Sequence, residues 1–219
     1  DFDTSVNEKG ETVYKLKAGI PYYTANTQPG DPKYKNMDEN LQINDADKVA
    51  IGNGQPKHTG GFTNNFTYKN FDLNIFMTWS YGNDILNANR MIFENPSSKQ
   101  NTNMFATYVN RWTESNPYSD MPRAKAQGAG EYSSLYVEDG SFLKLKNITL
   151  GYNFKPKTLH PLHINSARVY VSAENIATIS SYSGSDPEVS TRNSVLTPGF
   201  DWSAYPRAFN LSLGLNVTF

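Results

Sequence analysis

The chain contains no cysteine, which excludes a disulfide framework and any thiolate metal site; of the redox compartment it says only that an oxidising one is permitted. It also lacks any run approaching the roughly eighteen consecutive apolar residues that a membrane helix needs. If it crosses a bilayer it must do so as a β-barrel, because only helices and closed barrels satisfy every backbone polar group in lipid. Charge of one sign is missing too. The 20 Lys and Arg against 21 Asp and Glu leave a net −1, with no basic footprint for nucleic acid and no polybasic membrane patch. The opening residues, DFDTSVNEKG, have no charged segment leading into an apolar one, so no secretory signal is read there. For a membrane-spanning reading, that makes these 219 residues a piece of a longer precursor.

What the chain has is aromatic side chains, 14 Tyr, 12 Phe and 3 Trp, set in a sequence that is polar on average. In its last residues Phe209, Leu211, Leu213, Leu215, Val217 and Phe219 alternate with Asn210, Ser212, Gly214, Asn216 and Thr218. Such a strand, apolar on one side and polar on the other, fits a membrane barrel in which lipid-facing and lumen-facing residues alternate. It equally fits a half-buried strand of a soluble sandwich. The run FDLNIFMTWSY places Phe71, Leu73, Ile75, Met77, Trp79 and Tyr81 on one face, with aromatics at both ends as in a barrel's two girdles. Before it, Phe62, Phe66 and Tyr68 oppose Thr63, Asn65 and Thr67, and only Lys69 and Asn70 separate the two runs, which reads as a tight hairpin. Further on, Ile148, Leu150, Tyr152 and Phe154 oppose Thr149, Gly151 and Asn153, and Val169, Val171 and Ala173 oppose Arg168, Tyr170, Ser172 and Glu174.

The expected strands are therefore about 58–68, 71–82, 141–154, 166–180 and 205–219, with 12–23 as a sixth. Between 83 and 140 the pattern lapses, and short helices are expected around Asp84 to Glu94, capped by Asp84, and Met104 to Glu114, with Pro96 and Pro117 barring extension. The connections alternate short and long: Lys69-Asn70, then 83–140, then a turn holding Pro156 and Pro161, then 181–204. Bacterial barrels have this asymmetry, with short periplasmic turns and long outer loops, which puts the last residue in the periplasm. The outer loops are then about 24–57, 83–140 and 181–204. Six strands cannot close a barrel of the usual size, so the edges must pair with strands elsewhere.

The runs Ile51 to Asn87 and Tyr136 to Phe154, the run RVYVSAENIATIS with the SGSDPE after it, and the final Phe219 together resemble the C-terminal part of SusC/RagA-type TonB-dependent outer-membrane transporters of Bacteroidetes. The resemblance covers most of the chain from about residue 29 onward. It implies an all-β fold: the C-terminal strands of a large antiparallel transmembrane barrel, 22-stranded in the family, with long extracellular loops. It also implies nutrient import at the bacterial outer membrane, with an N-terminal plug absent from this piece. The partners implied are the N-terminal remainder of the barrel and its plug, TonB acting through that missing part, a SusD-like surface lipoprotein, the barrel-assembly machinery, the lipid bilayer, and a glycan or peptide substrate. Phe219 resembles the terminal aromatic that the assembly machinery reads. No catalysis is implied. The competing readings are a secreted β-sandwich that binds carbohydrate and an outer-membrane adhesin barrel.

Candidate site residues are few. In KNMDENLQINDADK, Asn36, Asp38, Asn40, the carbonyl of Gln42 and Asp47 fall at positions 1, 3, 5, 7 and 12 of an EF-hand-like Ca²⁺ loop, with Ile43 at its apolar position. Leu41 stands where the turn Gly belongs, and position 12 is Asp in place of Glu; the competing reading is a solvated acidic loop. His58, His160 and His163 lack metal-ligand spacing and read as surface residues. Asp72, Glu174 and Arg168 read as lumen lining rather than as a catalytic pair. Trp112, Tyr182, Trp202 and Tyr205 either stack on a substrate or pack the loops together.

Overall fold

The computed structural model describes residues 1–95, 103–189 and 197–219; the expectation about Pro96 and the middle of the 181–204 loop lie outside them. In chain order the elements begin with β1 (Phe2–Val6), β2 (Thr12–Leu16), β3 (His58–Tyr68), β4 (Phe71–Tyr81), β5 (Asp84–Asn87) and α1 (Ala88–Phe93). There follow β6 (Val137–Asp139), β7 (Phe142–Asn153), α2 (Pro156–Leu159), β8 (Ser166–Ser180), β9 (Phe200–Asp201) and β10 (Asn210–Thr218). These residues form two compact units, one of Asp1–Ile51 with Asn87–Val137, the other of Gly52–Leu86 with Glu138–Phe219.

In the first unit β1 and β2 make a hairpin in which Phe2 faces Leu16 and Val6 faces Thr12. Its turn is held by the Asn7 side chain, which accepts the backbone N–H groups of Lys9 and Glu11. The long strand expected over 12–23 is thus a five-residue one. It ends where Gly19 takes a left-handed φ of 81° and Pro21 removes a donor, and it pairs with β1, not with the main sheet. The rest of the unit is irregular backbone tied by side chains. Asp31, its carboxylate almost fully buried, accepts Arg123 Nε at 2.7 Å and the N–H groups of Gln28 and Gln127. Arg90 pairs with Glu94 at 2.9 Å, and Thr107 donates to the same carboxylate. Tyr136 is buried with its hydroxyl on the Ala129 carbonyl; burial first, then the Glu94 charge, pushes that phenol up to about 12.

The second unit holds a five-stranded antiparallel sheet in the order β10-β8-β7-β4-β3. Strand alternation and the pairing register assemble the apolar residues into rows across it. One row runs Tyr68, Phe71, Tyr152, Val169, Leu215; the next runs Phe66, Leu73, Leu150, Val171, Leu213; a third carries Ile75, Ile148, Ala173 and Leu211. Toward the other end come Phe62, Met77 and Leu145, then Trp79, Leu143 and Ile179, and finally Tyr81 beside His58. Aromatic rings thus bound the apolar field at both ends. The eleven residues of β4 span about 35 Å, or about 25 Å at the 45° tilt of barrel strands, the height of a barrel's apolar band. This face is not a core. Phe62, Phe66, Leu150, Leu211 and Leu215 are exposed, and Leu213 is 79% so. A sandwich would bury them.

Two glycines admit the largest rings. Trp79 lies over Gly60 on the apolar face and Tyr170 over Gly214 on the polar one, leaving no room for a Cβ at either glycine. The β3–β4 turn is Lys69 and Asn70, with Lys69 left-handed. The β7–β8 turn is α2, begun by Pro156, and a 3-10 turn over His160–Leu162. The expected helix from Asp84 is corrected in part: Asp84 opens β5, which pairs with β6 and β9 in a three-stranded sheet. Its carboxylate accepts the Asn53 N–H, so it caps nothing, and Asn87 caps the six-residue α1 in its place. The helix expected around 104–114 is a 3-10 turn over Ala106–Asn110. The final strand starts at Asn210, five residues later than expected, beyond Pro206.

Candidate functional site

The polar face of the five-stranded sheet is built by the same alternation that makes the other face apolar. Its lower cluster centres on Asp72 of β4 and Arg168 of β8, which are separated by β7 between them. They meet because the β7 residue opposite Asp72 is Gly151. Over that bare backbone Arg168 reaches Asp72 through Nε at 3.1 Å and Nη2 at 2.5 Å. Asn153 donates to the same carboxylate, and the Arg168 guanidinium stacks on Tyr170, 4.9 Å from its centroid. Of the three residues expected to line the lumen, Asp72 and Arg168 form one ion pair. Glu174 lies elsewhere, opposite Asn147 and Asn210. Above the pair, Asn147, Thr149 and Ser172 hydrogen-bond one another.

The upper cluster was not anticipated from the sequence. Near the end where β4 and β8 leave the sheet, Lys144 faces Thr78 and Thr178 on the polar side and is 2% exposed. Its Nζ reaches Asp186 at 3.2 Å and Glu188 at 3.0 Å. Lys146 Nζ lies 3.0 Å from Glu188, and Arg207 Nε lies 3.2 Å from it. Asp186 also accepts the backbone N–H groups of Glu188 and Arg207. Burial pushes both carboxyls up. At Asp186 that is outweighed by those two amides and the Lys144 ammonium, and at Glu188 by Lys144 and Lys146, so both rest below their ordinary values. A β-bulge at Lys146 lets Lys144 and Lys146 share a face with Asn147, Thr149 and Gly151. Without it Ile148 and Leu150 would turn to the polar side. The signal was in the sequence: apolar residues fall on odd numbers at 143 and 145 and on even ones at 148, 150 and 152.

The Ca²⁺-loop residues adopt a tight series of side-chain turns. Asn36, Asp38 and Asn40 each accept the N–H two residues on. Asn36 and Asn40 also donate, to the Asn40 carbonyl and to Asp38, and the Asn44 side chain donates to the Gln42 carbonyl. Asp47 accepts Met37 N–H at 2.7 Å and Asn44 N–H at 2.8 Å, and these bonds hold its carboxyl below the usual range. The residues therefore satisfy one another, with both Asp47 oxygens committed to backbone. Among the described residues no three His, Cys, Asp or Glu side chains are grouped to hold a metal.

The remaining candidates separate by environment. His58 accepts a hydrogen bond from Trp79 Nε1 and stacks on Tyr81; His160 and His163 sit in the β7–β8 turn. Tyr182 is buried, its hydroxyl 2.5 Å from Asp201. The Trp112 ring packs on Gly30, and both line a cleft of about 420 Å³ with Lys33, Tyr34 and Asp120. Trp202 stacks on Phe200 and stays partly open. Tyr205 is 90% exposed. Phe219 follows β10 and is exposed.

No protein-family model matches the chain. It is 34% identical over 206 residues to TonB-dependent receptor P3 of Formosa agariphila, covering 92% of this chain and 20% of that one. To TonB-dependent receptor SusC of Bacteroides thetaiotaomicron it is 30% identical over 202 residues, covering 90% and 18%. In fold it matches the RagAB peptide transporter with a TM-score of 0.70 at 23% identity, over 100% of this chain and 22% of that one. A second RagAB structure, the peptide importer in its closed-closed state, matches with a TM-score of 0.67 at 24% identity, over 98% and 20%. The chain spans about a fifth of the length of the curated relatives it matches. Its exposed apolar face, its polar face and these likenesses agree: the chain belongs to the SusC/RagA-type TonB-dependent receptors and corresponds to the C-terminal strands of their transmembrane β-barrel.

Proposed function

We propose that this chain is part of an outer-membrane nutrient importer, forming a sector of barrel wall and the outer segments attached to it. The observation that carries the reading is the sheet whose exposed apolar face is bounded by aromatic rows at both ends, a surface made for lipid. In this reading Lys69-Asn70 and residues 154–165 are periplasmic turns, and residues 24–57, 83–140 and 181–204 lie on the outer side. The polar face, with its Asp72–Arg168 pair, turns toward the lumen, where a plug contributed by the N-terminal part of the protein is enclosed. Energy comes from TonB through that part, and a SusD-like lipoprotein delivers an oligosaccharide or peptide.

The test is to tag the complete protein at its chromosomal locus and fractionate the cells. The expected result is recovery in the outer membrane, extraction only by detergent, and copurification with a surface lipoprotein. An adhesin would copurify with none and have no plug upstream. A protein recovered in the soluble fraction would refute the importer.

A further inference from the structure

The upper cluster on the polar face is more than a stabilising contact. Taking two charges out of water is costly, and a well-packed apolar replacement is often neutral or better, so a buried ion pair is weak support for stability. Here a lysine 2% exposed on a strand meets two carboxylates that belong to a different part of the chain, the segment after β8. Glu188 gathers three cations, Lys144, Lys146 and Arg207. Asp186 receives the backbone of Arg207 on the far limb of that segment. Its two limbs are thus tied to one another and to β7. Tyr182–Asp201 ties the limbs a second time, and Glu138 accepts the N–H and hydroxyl of Ser183. The bulge at Lys146 keeps both lysines on this face while Ile148 and Leu150 remain on the apolar one.

We propose that Lys144 and Lys146 are positioning residues: a clasp that holds the two described limbs, 181–189 and 197–207, inward over the rim of the polar face, so that these limbs line the passage and do not extend into the medium. The inward placement rests on the barrel reading above, whereas the clasp itself rests only on the contacts. Its function is to fix one geometry of the mouth, with Tyr182 and Asp201 as the second tie.

The amides of Glu188 and Arg207 report on the clasp directly, since both donate to Asp186. Hydrogen exchange on the complete protein, extracted from outer membranes into detergent, is the experiment. Glu188→Gln and Lys146→Met should speed exchange at these two amides about tenfold or more, as local opening does. Lys146→Arg, which keeps the charge at a partly exposed site, should leave them within about twofold of the parent, and the amides of β4, β7 and β8 should hold in all three variants. Unchanged exchange at Glu188 and Arg207 would overturn the clasp, as would equal loss of protection along β7 and β8, which would make these lysines ordinary folding residues. Recovery of the protein without detergent would overturn the inward placement alone, leaving the clasp to be judged by the exchange pattern.

Discussion

At position 151 a side chain would have to displace the ends of two others. A Cβ there would run into the Arg168 guanidinium and the Asp72 carboxylate, so Gly151 is the opening through which β4 and β8 exchange charge. Gly151→Leu should cost about 1–3 kcal/mol, as overpacking does, measured by urea unfolding of the complete protein in lipid. In an Asp72→Ala background the same substitution should cost less, because the group it displaces is gone. Equal cost in both backgrounds would mean that the glycine serves the backbone and not the ion pair. On the opposite face, Leu213 is 79% exposed, and Leu213→Arg should cost about 2–4 kcal/mol where it meets mid-bilayer. Ser212→Arg, one residue away on the polar face opposite Ser172, should be mild. If the two arginines cost the same, the face assignment of β10 is wrong.

At the scale of elements, the strands were legible because their side chains alternate between two faces that differ in polarity, with Asn64 and Phe76 the departures from it in β3 and β4. β3 and β4 show this best, their aromatics at the ends and their turn at Lys69. The loops were not legible. The strand at Asp84, in place of a helix start, depends on β6 and β9, partners distant in sequence that local propensity does not contain; β2, by contrast, is cut short locally, ahead of Gly19 and Pro21. The lysine clasp was half legible: the slip in apolar phase at Lys146-Asn147 announces a bulge, but nothing local names Glu188 as its partner. Asp186 and Glu188 are held below their ordinary pKa values, so the stability they contribute is present above the unfolded carboxylate value of about 4 and lost as pH falls through the folded ones. Exchange at the Arg207 amide, corrected for its intrinsic pH dependence, should therefore stay flat from neutrality through mild acid and accelerate only below the ordinary carboxylate range. Acceleration already near pH 6 would point to another group. The 36–47 loop is organised by Asp47 in the same way, through Met37 and Asn44 N–H. Asp47→Ala should expose residues 36–47 to limited proteolysis, with no rescue by added Ca²⁺. Rescue of the parent loop's protection by Ca²⁺ after chelation would establish the ion site that its spacing suggests.

For the whole molecule the decisive feature is what the sheet leaves unpaired. Among the described residues β3 and β10 are its two edges, and each presents a row of N–H and C=O groups on the side away from its neighbour. In hydrocarbon every such group left without a partner costs several kcal/mol. Five strands fall short of the eight that close the smallest common barrel. The sheet is therefore stable in a membrane only as a sector whose edges are completed by further strands. These 219 residues, expressed with an export signal and nothing else, should yield no species that migrates differently on gels when heated in detergent, and should be degraded. The complete protein should show that heat-dependent shift, and coexpressing the missing strands as a separate chain should restore it in part. A folded, monomeric, detergent-free product from the 219 residues alone would mean that the apolar rows of β3, β4, β7, β8 and β10 have found cover within the chain, and the membrane-wall assignment would fall with it.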